Sequence, residues 1–173
     1  MKDESFWLED WLMFEQLKIK FDGKPWHEWP PEYRNRDPAA LAEIATDSSA
    51  QARFMGRWNE VREYAKSKNI SLIGDLPIFV AHDSADVWAH RDLFLLNDKG
   101  MPDVVAGVPP DYFSKKGQKW GTVLYDWDAH RKQNWRWWKE RMGRMMRLFD
   151  IVRIDHFRGP VSYTHLRAHE TLL

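Results

Sequence analysis

Apolar residues recur every three or four positions in four stretches of the chain, and charged residues occupy most of the positions between them. This spacing places the apolar side chains on one face of a helix. After the first stretch, Gly23 and Pro25 supply the signals that end a helix. Pro38 opens the second stretch, at a position where a helix tolerates proline. The pattern therefore predicts helices over residues 6–21, 39–45, 50–68 and 126–148.

Two shorter stretches, residues 70–77 and 150–155, have the composition of strands. The second contains the β-branched residues Ile151 and Val152 followed by Ile154, so we expect it to be buried. A helical stretch lies between the two strands, and a strand–helix–strand unit pairs its strands in parallel. We therefore expect an α/β fold in which both strands end at the same edge of a sheet.

The connection over residues 78–125 shows no sustained helical or strand pattern. Glycine and proline recur along it, yet its content of large apolar residues is too high for a disordered segment. Connections of this length without regular structure are uncommon and are usually functional or disordered. We therefore predict an ordered active-site loop.

Composition and charge narrow the classes of function. The chain has 26 basic and 26 acidic residues, so no bulk charge draws it to nucleic acid or to an anionic membrane. The arginines and lysines within residues 126–148 are expected to form a solvated helix face rather than a nucleic-acid patch. The absence of cysteine excludes disulfides and thiolate metal sites.

The sequence shows no secretory signal and no apolar run approaching the roughly 20 residues of a membrane span. We therefore expect a soluble cytoplasmic protein with no membrane partner. The 11 tryptophans are unusual for this length. Aromatic planes pack well against the C–H face of a sugar ring, although most of these rings are expected to fill the core.

The strand ends carry the candidate chemistry. Asp75 lies near the end of the first strand, and Arg153 and Asp155 lie at the end of the second. Side chains two residues apart on a strand point to the same side, and a nearby cation keeps a carboxylate ionised, as a nucleophile requires. For an isolated Arg-x-Asp, an ordinary ion pair at a strand end is the competing interpretation. Because parallel strands end at one edge, we expect Asp75 and Asp155 to face one cleft.

Three long segments, over residues 74–88, 106–114 and 152–159, resemble the 4-α-glucanotransferases, which are the amylomaltases or disproportionating enzymes of glycoside hydrolase family 77. The resemblance covers nearly all of residues 5–159. It implies that Asp155 is the catalytic nucleophile and Arg153 its partner. It also implies a set of glucan-binding residues, namely Asp75, Asp111, Tyr112, Phe113, Gln118, Trp120 and His156. A structural role is the alternative for His156.

The fold implied by the resemblance is a (β/α)₈ TIM barrel, of which this chain would form a part with a long inserted active-site loop. The implied reaction is retaining transfer of α-1,4-glucan segments between maltodextrins through a covalent glucosyl–Asp155 intermediate. The partners would be a maltodextrin, starch or glycogen-type donor and a sugar acceptor. We expect no cofactor and no metal. The loosely ligand-like set His82, Asp83, Asp86 and His90 lies in a loop, which disfavours a metal site.

Two departures from the family pattern affect these expectations. The family usually has Asn-Pro after the loop Trp-Gly, where this chain has Thr122-Val123. The family pattern also stops after Gly159, so we expect residues 1–161 to be a fragment of the catalytic domain and residues 162–173 to be a non-native tail. The acid/base glutamate and the transition-state aspartate would then lie beyond this chain, which alone would be inactive and poorly folded.

Two other functions remain as alternatives. One is an α-glucan hydrolase of the same clan, and the other is a non-catalytic glucan-binding protein. Retention of Asp155 together with Arg153 argues against the second, because binding alone does not need a nucleophile.

Overall fold

The N-terminal part of the chain is helical, as its apolar spacing predicts. The computed structural model describes residues 4–108, 110, 112, 115, 117–154 and 166–167. Helices α1 and α4 lie within one residue of their predicted bounds, whereas α3 ends three residues early. The four helices are α1 Ser5–Lys20, α2 Pro31–Arg34, α3 Pro38–Ala42 and α4 Ser49–Ser67.

The expectation of an irregular connection over residues 78–125 is partly wrong. After strand β1, Ile73–Leu76, comes a short helix α5, Ala85–Ala89, and then an antiparallel hairpin of β2, Val104–Val108, and β3, Gln118–Val123. Strand β2 is buried from its second residue to its last and is interrupted by a bulge. It therefore lacks the alternation of apolar and polar residues by which a half-buried strand is recognised.

The single helix predicted over residues 126–148 is two helices. Helix α6 spans Trp127–Lys132 and α7 spans Arg136–Leu148. Between them, Asn134 and Trp135 adopt left-handed conformations with φ of 56° and 59°. Two such residues interrupt the hydrogen-bond ladder of a right-handed helix. Glycine is the usual signal for this conformation, and a tryptophan in its place hides the break from the sequence.

The parallel pairing predicted for the two outer strands is confirmed. Strand β4, Ile151–Ile154, pairs in parallel with β1. A two-residue strand β5, Leu166–Arg167, lies antiparallel to β2 on the side opposite β3. The described part of the chain thus contains a two-stranded parallel sheet and a three-stranded antiparallel sheet.

The predicted burial of the β4 strand is wrong. Ile151 is 50% exposed and Ile154 is 39% exposed, and Ile73 on the partner strand is 62% exposed. In the described part of the chain this sheet has only two strands, so much of its surface lies uncovered. The β-branched composition identified the strand correctly but did not determine what packs against it.

The core is built largely from aromatic rings. Trp26, Trp29 and Trp88 are buried, and Phe14 packs 5.4 Å from Trp29 and 5.9 Å from Trp88. Each of the three indole N–H groups donates to a backbone carbonyl, at 2.7, 2.9 and 3.0 Å. Because their polar edges are satisfied, these rings can be fully buried without an unpaired donor.

Four arginines of α6 and α7 pair with acids. Arg131 and Arg136 lie on a solvated helix face, as expected, whereas the side chain of Arg144 is only 14% exposed. The pairs are Arg131 with Asp128, Arg136 with Glu140, and both Arg144 and Arg147 with Glu4. Among the described residues, the helices are all too short or too polar to cross a membrane.

Candidate active site

The start of β4 fixes how the two parallel strands align. The backbone N–H of Leu72 donates to Oδ2 of Asp150 over 2.9 Å, and its carbonyl accepts from the backbone N–H groups of Asp150 and Ile151 over 3.0 and 3.1 Å. The hydrogen bond from Leu72 holds the pKa of the Asp150 carboxyl below its ordinary value. The resulting register places Asp75 directly opposite Arg153.

Arg153 and Asp75 form a two-pronged ion pair across this register. Nε of Arg153 donates to Oδ1 of Asp75, and Nη2 donates to Oδ2, each over 2.6 Å. Each residue is the third of a four-residue strand. A planar guanidinium joined to a carboxylate by two hydrogen bonds fixes the orientation of both groups, which a single bond does not.

The pair remains open to solvent. The side chains of Arg153 and Asp75 are 63% and 55% exposed. Ion pairs this exposed typically add only about 0–1 kcal/mol to stability. The carboxylate oxygens of Asp75 have lone pairs beyond those that the fork uses. The arrangement is therefore suited to binding a ligand that carries several hydroxyl groups.

The segment that follows β1 is held in place by a buried tyrosine. The hydroxyl of Tyr125 donates to the carbonyl of Ile78 over 2.7 Å and accepts from Nη1 of Arg141 over 3.4 Å. Burial raises the pKa of Tyr125 to about 12, so the phenol keeps its proton and can donate. This contact connects the chain just beyond Asp75 to helix α7.

Trp120 joins the same aromatic cluster. Its ring lies 6.1 Å from that of Phe79, which stacks at 6.0 Å on Tyr125. Nε1 of Trp120 donates to Oε1 of Gln118 over 3.1 Å. The structure therefore places Trp120, with Gln118 hydrogen-bonded to it, beside the segment that follows β1.

The remaining candidate residues are one exposed tyrosine and four residues outside the described ranges. Tyr112, in the connection between β2 and β3, is 97% exposed. Asp111, Phe113, Asp155 and His156 lie outside the described residues. Their assigned roles, including the pairing of Arg153 with Asp155, stay predictions.

The loosely metal-like set serves structural contacts in part. Nε2 of His82 donates to the carbonyl of Gly100 over 2.6 Å, and Asp83 accepts from Nζ of Lys18 over 2.7 Å. Burial lowers the pKa of His82. Within the described ranges, no group of three or more histidine or acidic side chains is arranged to hold a metal ion.

Sequence reasoning missed three contacts that build the site. It did not pair Asp75 with Arg153, and it assigned no role to Asp150 or to Tyr125. A signal for the first was present, since Ile-Gly-Asp-Leu and Ile-Val-Arg-Ile place their charged residues at the same position of two strands expected to be parallel. The other two contacts depend on long-range packing.

Comparison with known proteins decides the family. The sequence pattern of glycoside hydrolase family 77, 4-alpha-glucanotransferase, matches residues 1–171. The chain belongs to this family. The 4-alpha-glucanotransferase of Thermus thermophilus is 44% identical over 173 residues, which covers 95% of this chain and 35% of that protein. The chloroplastic/amyloplastic 4-alpha-glucanotransferase of Solanum tuberosum is 44% identical over 176 residues, with coverage of 97% and 31%.

A solved structure of the family supports the fold. An amylomaltase from Streptococcus agalactiae in complex with acarbose matches with a TM-score of 0.82 and 38% identity, covering 90% of this chain and 33% of the other. The chain thus spans about a third of the length of these family members. The predicted family and the α/β class are confirmed. The cytoplasmic location stays a prediction, and the plant relative is named as plastidial. The non-native origin of residues 162–173 also stays a prediction, although the family match extends to residue 171.

Proposed function

We propose that the protein containing this family 77 chain transfers α-1,4-glucan segments between maltodextrins with retention of configuration. The observation that carries the proposal is the two-pronged pair of Arg153 and Asp75 near the ends of β1 and β4. The relatives named 4-alpha-glucanotransferase support this assignment. In barrel enzymes the carboxyl ends of parallel strands are where the reacting groups gather.

We infer that β1 and β4 are neighbouring strands of a (β/α)₈ barrel. Their parallel pairing supports this, as does the similarity to the amylomaltase structure. The hairpin of β2 and β3 would then be an insertion beside the strand ends. Its contact from Trp120 to Phe79, three residues beyond β1, supports that placement.

The proposed reaction has two steps. The carboxylate of Asp155, the residue after β4, attacks the anomeric carbon of the donor while a carboxylic acid protonates the departing sugar oxygen. A glucosyl ester of Asp155 forms, and a hydroxyl of the acceptor sugar then attacks it as the second carboxyl group removes the proton. We propose that this second group comes from the part of the family length that the chain does not span.

The other candidate residues bind substrate in this scheme. Arg153 orients Asp75 through the two-pronged pair, and the carboxylate of Asp75 accepts hydrogen bonds from sugar hydroxyls. Trp120 supplies an aromatic plane for a sugar ring. Asp111, Tyr112, Phe113, Gln118 and His156 are assigned to the same glucan-binding surface. Donor and acceptor are α-glucans of the maltodextrin, starch or glycogen type.

Substitution of the nucleophile tests the reaction. We expect Asp155→Asn, in the protein that contains this chain, to lower the rate of maltotriose disproportionation by about 10⁴-fold or more, because an amide cannot form the ester. Binding of maltodextrin should stay within a few-fold of wild type. Turnover would be followed by chromatography of the products.

The matched control is Asp98→Asn, which changes an exposed aspartate in a turn and should leave turnover unchanged. Products longer than maltotriose would support transfer. If all products were shorter than maltotriose, the protein would be a hydrolase. Near-normal turnover in Asp155→Asn would refute the nucleophile assignment.

A further inference from the structure

A cavity of about 180 Å³ opens between helices α1, α5 and α7. Tryptophan rings form much of its wall, with Trp7 and Trp11 from α1 and Trp137 from α7. The rings of Trp7 and Trp11 lie 6.2 Å apart at 56°, so they present a bent aromatic surface. None of the described candidate active-site residues lines this cavity.

Two side chains of the α5 segment face this aromatic wall with unused hydrogen-bonding capacity. Asp86 and His90 line the cavity and lie four residues apart, one turn along the chain. Neither side chain has a hydrogen bond or an ion pair within the part of the chain that the structure describes. Both residues are only partly buried, so a molecule in the cavity can reach their polar atoms.

An arginine completes the polar side of the cavity. The guanidinium of Arg141 lies over Trp137 at 5.0 Å and over Trp138 at 5.5 Å, which fixes its plane. One of its N–H groups donates to Tyr125, and an arginine has five. Its remaining donors are available beside Asp86 and His90.

The other charged residues of the cavity are already paired. Asp10 accepts from Arg36, and Arg144 donates to Glu4 over 2.8 Å. They therefore contribute no uncompensated charge. Acceptor and donor groups of opposite sign thus stand together against aromatic faces, which is the composition of a small-molecule site.

This chemistry selects among ligand classes. An anionic ligand would be repelled by the carboxylate of Asp86. A purely apolar ligand would displace water from that carboxylate without donating a hydrogen bond to it. A neutral ligand with hydroxyl groups along its edge and C–H groups on its face satisfies both the polar and the aromatic walls. A cavity of about 150 Å³ can hold one six-membered ring such as benzene, so the volume of about 180 Å³ suits a single sugar ring.

We propose that this cavity is a second saccharide site, which binds one glucosyl unit of an α-glucan apart from the candidate active site. The choice of α-glucan as the ligand rests on the proposed function. Such a site would hold a long glucan on the protein between transfer events, and it would add affinity through a second point of attachment.

The test compares binding of a long glucan with turnover of a short one. We would measure retardation of the protein that contains this chain in native gels with added glycogen, and in parallel its disproportionation of maltotriose. Asp86→Ala should weaken glycogen binding roughly tenfold to a hundredfold, as loss of hydrogen bonds to a charged group does. His90→Ala should weaken it in the same direction, and both variants should keep maltotriose turnover within about twofold of wild type.

Asp128→Ala is the matched control, because Asp128 is also an acid in the first turn of a short helix but is 77% exposed and pairs with Arg131. It should leave glycogen binding unchanged. Equal retardation of Asp86→Ala, His90→Ala and wild type would overturn the proposal, as would a parallel loss of maltotriose turnover, which would assign the cavity to the active site. A wild-type protein that binds glycogen but does not disproportionate maltotriose would refute the proposed function instead.

Discussion

Gly74 lies beside the ring of Phe149, and this contact predicts that a methyl group at position 74 does not fit unless the structure shifts. A Cβ at Gly74 would come within 2.5 Å of three atoms of the Phe149 ring, Cγ, Cδ2 and Cε2. The ring cannot simply move away, because it packs at 5.5 Å against Trp58, whose indole donates to the carbonyl of Leu148 over 2.9 Å. Gly74→Ala therefore requires a shift of either the ring or strand β1.

The cost can be bounded from the geometry. Overpacking of this kind typically destabilises a protein by about 1–3 kcal/mol. Part of the strain would pass to Asp75, the next residue, and would displace its carboxylate from the fork with Arg153. We therefore expect Gly74→Ala to lower both the free energy of unfolding and the rate of glucan transfer.

Urea unfolding of the protein that contains this chain, followed by tryptophan fluorescence, measures the first effect. Gly56→Ala is the control, since nothing lies within 4 Å of a Cβ added at Gly56 in helix α4. That change should stabilise the protein by about 0.5–1 kcal/mol. In a Phe149→Ala background, Gly74→Ala should cost much less than in wild type. Equal costs in the two backgrounds, or a neutral effect in wild type, would refute the reasoning.

Two further predictions concern charged and titratable groups. Asp75→Asn should change the free energy of unfolding by less than about 1 kcal/mol, because the ion pair is exposed. The same substitution should lower the rate of glucan transfer by roughly 10²-fold, because Arg153 would be misplaced. A large fall in melting temperature with normal turnover would contradict this. Burial lowers the pKa of His130, against the opposing effects of the Leu93 carbonyl and two acids. As the pH falls, His130 binds a proton more readily in the unfolded chain than in the folded protein. The free energy of unfolding should therefore fall as pH drops below about 6.5. His130→Leu should flatten that decline in unfolding experiments between pH 7 and 5, and an unchanged slope would count against it.

The sequence predicted the helices well where one apolar face decides the structure. Helices α1 and α4 have regular spacing and clear ends, and both lie within one residue of their expected bounds. The break between α6 and α7 could not be predicted, because Trp135 adopts a left-handed conformation that sequence patterns associate with glycine. The hairpin was missed because β2 is buried along most of its length and so shows no alternation.

The site was predictable as a set of residues but not as a geometry. Asp75 and Arg153 were both identified, since charged residues at strand ends stand out against apolar neighbours. Their pairing depends on register, and register is set at the other end of the strands by hydrogen bonds between Leu72 and Asp150. These partners are 78 residues apart, so no local pattern reports the alignment.

The same dependence explains why an exposed ion pair can still be well oriented. The fork between Arg153 and Asp75 adds little stability by itself, so it cannot hold the strands in place. Backbone bonds at Leu72 fix the register, and the close contact of Gly74 with Phe149 sets the depth of β1. Tyr125 then anchors the segment beyond Asp75 through Ile78. Because rigid neighbours position the pair from both sides, Arg153 and Asp75 keep a defined orientation while their side chains remain 63% and 55% exposed.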